Sequence, residues 1–258
     1  MHKFSFARPG LAKLKILSYD ESICMPARHR IKTYSENTFY HLFNRGVEKR
    51  PIFLDEQDYA VLLSYLKTYL LPKDELLLQS MAIDPSISWR ERDQALKLLR
   101  LNNFHGVIKL LSYCLMPNHY HFLIWQDRET GIDEFMNSLW TRYTMYFNKK
   151  YHRVGGLFQS VYKAVRVQTN EQLLHLNRYI HRNPIAKRKL QTLASQGLAL
   201  RSYSWSSYQE YMGMRETEWV DTKIIQSIGN IHDPAQYESF VLETDNEESA
   251  KIIAPVII

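Results

Sequence analysis

Along the chain the spacing of hydrophobic residues switches repeatedly between two and about 3.6, and each switch marks an element. Phe39-Tyr40-His41-Leu42-Phe43-Asn44-Arg45-Gly46 is an aromatic-rich run closed by glycine, which predicts a strand ending in a turn. Behind Asp55, a side chain suited to cap a helix, Leu62, Leu63, Leu66 and Leu70 recur at helical spacing until Pro72. Val107 to Leu115 predicts a second strand, and Tyr120 to Trp125 a third after a Pro117-Asn118 turn. Phe135, Leu139, Tyr143 and Phe147 predict a helix from about Asp133 to Lys150, and Gly155-Gly156 breaks the chain after it. Phe158 to Val167 reads as a fourth strand, and a helix capped by Thr169 or Asn170 runs to Pro184. The first six elements follow the β-α-β-β-α-β order of a ferredoxin-like α/β sandwich, an α+β fold. The helix near 170–183 is additional, and a helical C-terminal extension follows.

Three segments fall outside that order. Residues 1–24 read as an N-terminal appendage to a main domain at 25–200. Residues 73–106 read as a helical insertion, in which Ser88-Trp89-Arg90-Glu91 has the form of a capping box. Residues 201–258 form the extension, with Trp205, Tyr208, Tyr211 and Trp219 early in it and an acidic, mobile end from Glu243 to Glu248.

Composition changes this picture in two ways. The net charge of +6 and pI near 9.1 favour a polyanionic partner, and the 33 aromatic residues (17 Tyr, 11 Phe, 5 Trp) include enough rings for stacking on unpaired bases. For any single ring, packing in the core is the better account. Cys24 and Cys114 have no metal or redox spacing, which fits a reducing cytoplasm. No apolar run approaches the roughly 20 residues of a membrane span, and the N-terminus lacks the apolar stretch of a signal peptide.

The chemistry gathers at Leu115-Met116-Pro117-Asn118-His119-Tyr120-His121-Phe122. On a strand His119 and His121 share one face, while Tyr120, Phe122 and Ile124 point to the other. Two imidazoles held this way can ligate a metal, and they need a further partner. The helix near 170–183 offers one: Tyr179 and Asn183 are i and i+4, roughly 6 Å apart at Cβ, beside a buried stripe of Leu173, Leu176 and Ile180. If that helix packs on the histidine face, two nitrogens and an amide oxygen hold a divalent ion, with positions open for phosphate oxygens and water. The ion acts as a Lewis acid on a phosphodiester, and the Tyr179 phenol is placed as nucleophile.

His119-Tyr120-His121 resembles the histidine–hydrophobic–histidine motif of the HUH single-strand DNA nucleases. Met116-Pro117-Asn118-His119-Tyr120-His121, Gly156-Leu157-Phe158-Gln159 and Arg178-Tyr179-Ile180-His181-Arg182-Asn183-Pro184 together resemble the single-tyrosine transposases, specifically the REP-associated tyrosine transposases and their insertion-sequence relatives. The resemblance covers roughly residues 25–210. It implies cutting and joining of single-stranded DNA near hairpins with Mg²⁺ or Mn²⁺, through a covalent 5′-phosphotyrosine. It carries the nucleophile onto Tyr179 and the metal ligands onto His119, His121 and Asn183. Candidate DNA contacts are Asn44, Arg45, Arg142, Gln159, Lys163 and Arg166. The expected partner is a hairpin with a single-stranded flank in a prokaryotic cytoplasm, at the nucleoid, with a homodimer as one possible assembly. The insertion at 73–106 and the tail after 210 depart from the family pattern.

Two other readings stand beside this one. A hydrolase would use the histidines to activate water, with Tyr179 only orienting it. A domesticated protein would keep the fold and bind DNA without cutting. Taken singly, a His-x-His is more often structural, a lone tyrosine is usually a packing residue, and charges on an edge strand are commonly just solvated. His181 faces away from Asn183 and reads as surface or packing. His175 reads as a satisfied polar contact, and His41 has no identifiable partner in the sequence.

Overall fold

A computed structural model describes residues 33–186, 188, 190–243 and 251–254. The expected appendage at 1–24 and nearly all of the acidic end lie outside them. The described chain runs β1 (Thr38–Arg45), α1 (Glu56–Leu70), α2 (Glu75–Ile83), α3 (Trp89–Arg100), β2 (Ile108–Met116), β3 (His119–Gln126), α4 (Gly131–Lys150), β4 (Lys163–Arg166) and α5 (Asn170–Arg182). Four shorter helices follow: α6 (Leu193–Arg201), α7 (Tyr208–Tyr211), α8 (Lys223–Ile228) and α9 (Pro234–Leu242).

The sheet has the order β2-β3-β1-β4, and every neighbouring pair is antiparallel. With α1 and α4 as its crossovers, this is the ferredoxin-like arrangement. Both faces of the sheet are covered. Tyr40 and Leu42 of β1, with Tyr120, Phe122 and Ile124 of β3, pack against Leu62, Leu66 and Tyr69 of α1 and Phe135, Leu139 and Tyr143 of α4. Each fully buried leucine there contributes about 1.5–3 kcal/mol through removal of apolar surface from water. On the opposite face Leu111, Cys114 and Leu123 meet Leu173, Leu176 and Ile180 of α5, with α8, α9 and residues around Tyr208 behind them.

The predicted caps form. Asp55 accepts from the Asp58 amide, Thr169 accepts from the Gln172 amide, and Ser88 and Glu91 complete a capping box. The insertion is the α2–α3 hairpin.

The fourth strand is shorter than the hydrophobic run suggests. Regular pairing with β1 covers only Lys163–Arg166, while Phe158 makes an isolated bridge to Gly46. Between them the Asn44 amide captures the Ser160 carbonyl at 2.8 Å, and Tyr162 turns to the helical layer to donate to Asp133. Those side-chain bonds replace the strand ladder.

The C-terminal segment is built into the sheet layer. Leu115 N donates to Trp205 O at 2.8 Å, Ser207 N donates to Tyr113 O at 3.0 Å, and Asp221 N donates to Leu110 O at 2.8 Å. These bonds cover the outer edge of β2, which would otherwise expose unpaired donors and acceptors. Among the described residues no helix is long and apolar enough to cross a membrane.

Candidate active site

Strand register fixes the site. Arg45 lies opposite His119 and Phe43 opposite His121, so residues 41, 43 and 45 of β1 share a face with 119, 121 and 123 of β3. Lys163 of β4 pairs with Phe43, which brings the lysine onto the same row. Helix α5 lies over this face because its stripe of Leu173, Leu176 and Ile180 is buried there. Tyr179, adjacent to that stripe, is set edge-on above the imidazoles: its ring centroid is 5.5 Å from that of His121 at 87° and 6.4 Å from that of His41 at 80°. The His119 and His121 centroids are 5.2 Å apart and their rings are perpendicular.

A small cavity of about 100 Å³ lies between these groups. His119, His121 and Tyr179 line it, together with Arg45, Lys163 and Gln159. The structure therefore brings together the predicted nucleophile, both predicted histidines and several predicted DNA contacts. Asn44 also reaches the wall, but its side chain is committed to backbone: it donates to Ser160 O and accepts from the Arg45 amide.

Asn183 takes a different position. It caps the end of α5 and its amide nitrogen donates back to the Tyr179 carbonyl at 3.0 Å. It lines a separate cavity of about 520 Å³ that includes Arg178, Arg182 and the other side of Tyr179. Tyr179 thus stands between the two spaces. Arg142 lies in the opposite layer, its guanidinium 3.8 Å from the ring centroid of Tyr65. Arg166 sits exposed at the end of β4, with Nη1 3.4 Å from Ser35 Oγ.

The proton positions on His119 follow from its neighbours. The Lys49 carbonyl can only accept, so the 3.0 Å contact to Asn118 Nδ2 fixes the amide with Oδ1 toward His119. That oxygen also only accepts, so His119 Nδ1, at 2.7 Å, must carry the hydrogen. In the neutral ring the lone pair is then on His119 Nε2, the form in which imidazole ligates a metal. His121 is held neutral, its pKa well below the ordinary value, chiefly by burial and then by His41, His119 and Arg45. Burial raises the Tyr179 phenol, while a hydrogen bond from Asn183 and the charge of Arg45 oppose the rise.

Two oriented imidazoles on one sheet face fit a divalent ion. Among the described residues no group of three or more His, Cys, Asp or Glu could hold a metal ion, so remaining ligands would be amide, water or substrate oxygens. His181 is a packing residue, fully buried between Tyr237 and Ser207, and His175 lines the larger cavity. Asn118 and His41 are the site neighbours that sequence reasoning missed. The parity of Phe39, His41 and Phe43 was the available signal, but only the register with β3 turns it into a contact.

The family model for "Transposase IS200 like" matches residues 91–183, from the insertion hairpin through both histidines to Asn183. No curated protein matches the chain. Among solved structures, a REP-associated tyrosine transposase bound to a REP hairpin aligns over 75% of this chain and 96% of its own at 10% identity, with a TM-score of 0.42.

Proposed function

We propose, starting from a chain whose residues 91–183 match the IS200-like transposase family, that this protein cuts and rejoins single-stranded DNA beside a hairpin with Tyr179 as nucleophile. The observation that carries the reading is the seating of the Tyr179 ring edge-on over His121, 5.5 Å away, on a cavity shared with His119. A phenol needs no such setting to pack in a core.

In this reading the Tyr179 oxygen attacks phosphorus. A Tyr–O–P bond forms, the P–O3′ bond breaks, and the 3′ oxygen leaves as a hydroxyl after taking up a proton. The 5′-phosphate stays on the protein, and attack by another 3′-hydroxyl reverses the step and rejoins the strand. Burial disfavours the phenolate, so the positive charge of Arg45 beside it lowers the cost of deprotonation. Arg45 and Lys163, which line the cavity, would hold phosphate oxygens, and Gln159 would meet a base or sugar. His119 and His121, with Asn183 as a third partner, would hold Mg²⁺ or Mn²⁺. A divalent ion there supplies Lewis-acid polarisation and neutralises charge on the phosphodiester. Asn183 would have to turn its carbonyl oxygen from the larger cavity toward the histidines.

The test is denaturing electrophoresis of the protein after incubation with a labelled single-stranded hairpin and Mn²⁺. Wild type gives nicked DNA and a covalent protein–DNA adduct. Tyr179→Phe binds the hairpin and gives neither. Nicking without adduct in wild type would replace this reading with a water-activating hydrolase. No nicking under any metal would leave a DNA-binding protein that has lost its chemistry.

A further inference from the structure

His41 lies on the middle strand of the site face and is fully buried. Its Nε2 is 2.9 Å from Nδ1 of His121, and the two rings are nearly parallel, at 17° with centroids 5.1 Å apart. We propose that His41 is a positioning residue: it accepts the Nδ1 hydrogen of His121 and so fixes that ring with its Nε2 lone pair turned into the cavity. The inference rests on the reading of His119 and His121 as metal ligands.

A neutral imidazole has one N–H and one lone pair, so the contact has two possible polarities. If His41 donated, His121 would spend its lone pair inside the core and present N–H to the cavity. That wall carries the cations Arg45 and Lys163, whose side chains only donate, beside His119, Gln159 and Tyr179, which can also accept. Two positive charges on that wall favour the lone pair of His121 over its N–H on the cavity side. The opposite polarity, with His121 donating, turns the His121 lone pair to the cavity and places the hydrogen of His41 on its own Nδ1.

Packing holds the pair in that geometry. Phe43 lies against both rings, with centroids 4.6 Å from His41 and 5.9 Å from His121. The sheet fixes all three backbones, because residue 43 is the register partner of 121. Each candidate ligand thus has its own tautomer anchor, Asn118 for His119 and His41 for His121. Anchors of this kind orient a metal-bound histidine, and losing one typically weakens metal affinity about 10- to 100-fold.

The test has a metal-free and a metal-bound arm. Long-range ¹H–¹⁵N correlation of the wild-type ring nitrogens near neutral pH should show His121 protonated at Nδ1 and bare at Nε2. The reverse pattern overturns the proposal without reference to any metal. In the second arm Mn²⁺ affinity is measured by calorimetry on folded variants. His41→Leu, which removes the acceptor, should bind about 10- to 100-fold more weakly than wild type. His41→Gln, whose amide oxygen can accept the same hydrogen, should recover most of that loss. A folded His41→Leu that binds Mn²⁺ as wild type does, or a His41→Gln no better than leucine, overturns it. Wild-type protein that binds no Mn²⁺ while showing the expected tautomer would instead sink the metal-ligand reading and leave the hydrogen-bond assignment standing.

Discussion

At the scale of single residues, proton positions decide what the site can do. The Lys49–Asn118–His119 chain fixes one imidazole through two acceptors that cannot change role. Asn118→Ala should leave the fold intact, because it removes only two hydrogen bonds of a half-buried turn residue, and lower Mn²⁺ affinity about 10- to 100-fold in calorimetry. Unchanged affinity would exclude His119 as a ligand oriented this way. Away from the site, His181 is buried with its pKa lowered to about 3. Its unfolded value is near 6.5, so the unfolded chain binds the extra proton in the window between them. The resulting stability is present above pH 6.5 and is lost as pH falls toward 3, at about 1.4 kcal/mol per pH unit once well inside the window. Urea denaturation of wild type and His181→Gln at pH 7, 6 and 5 should therefore show the gap between them narrowing on acidification. A constant gap would mean that His181 does not titrate with folding.

At the scale of elements, helix α5 carries both the packing stripe and the proposed nucleophile, one residue apart. The two roles separate under mutation. Leu176→Ala should cost about 2–5 kcal/mol in urea denaturation through the cavity it leaves against the sheet. Tyr179→Phe should cost less than about 1 kcal/mol, since it removes a single oxygen and little volume. Equal losses would mean that the phenol is a structural group. Much of this was legible beforehand: the leucine stripe, the Thr169 cap and the alternation that put His119 and His121 on one face are local patterns. The partnership of His41 was not, because a strand carries no mark of which residue will face it across the ladder. The rotation of Asn183 was not either. Its i+4 spacing from Tyr179 is real, yet at the helix end its amide satisfies a free backbone carbonyl instead of facing the histidines. The shortened β4 has the same origin, since Asn44 competes with the ladder for a carbonyl that hydrophobicity alone assigns to a strand.

At the scale of the molecule, the C-terminal residues complete the layer that holds α5. Tyr208, Tyr211, Tyr237 and Val241 are buried with its stripe, and segment 205–207 closes the sheet edge. The composition of 201–258 gave little notice of this, because α7, α8 and α9 are only 4, 6 and 9 residues long, too short for a hydrophobic period to stand out. Tyr179 and the two histidines beneath it come from one and the same chain. That arrangement has a stoichiometric consequence. On the proposed reading each molecule uses its own tyrosine over its own histidines, so initial nicking rates should rise in direct proportion to protein concentration, with no threshold. Mixing equal amounts of Tyr179→Phe and His121→Ala, each inactive alone, should restore nothing. Recovered nicking in the mixture would mean that subunits exchange their tyrosines and that the arrangement seen here is the resting one.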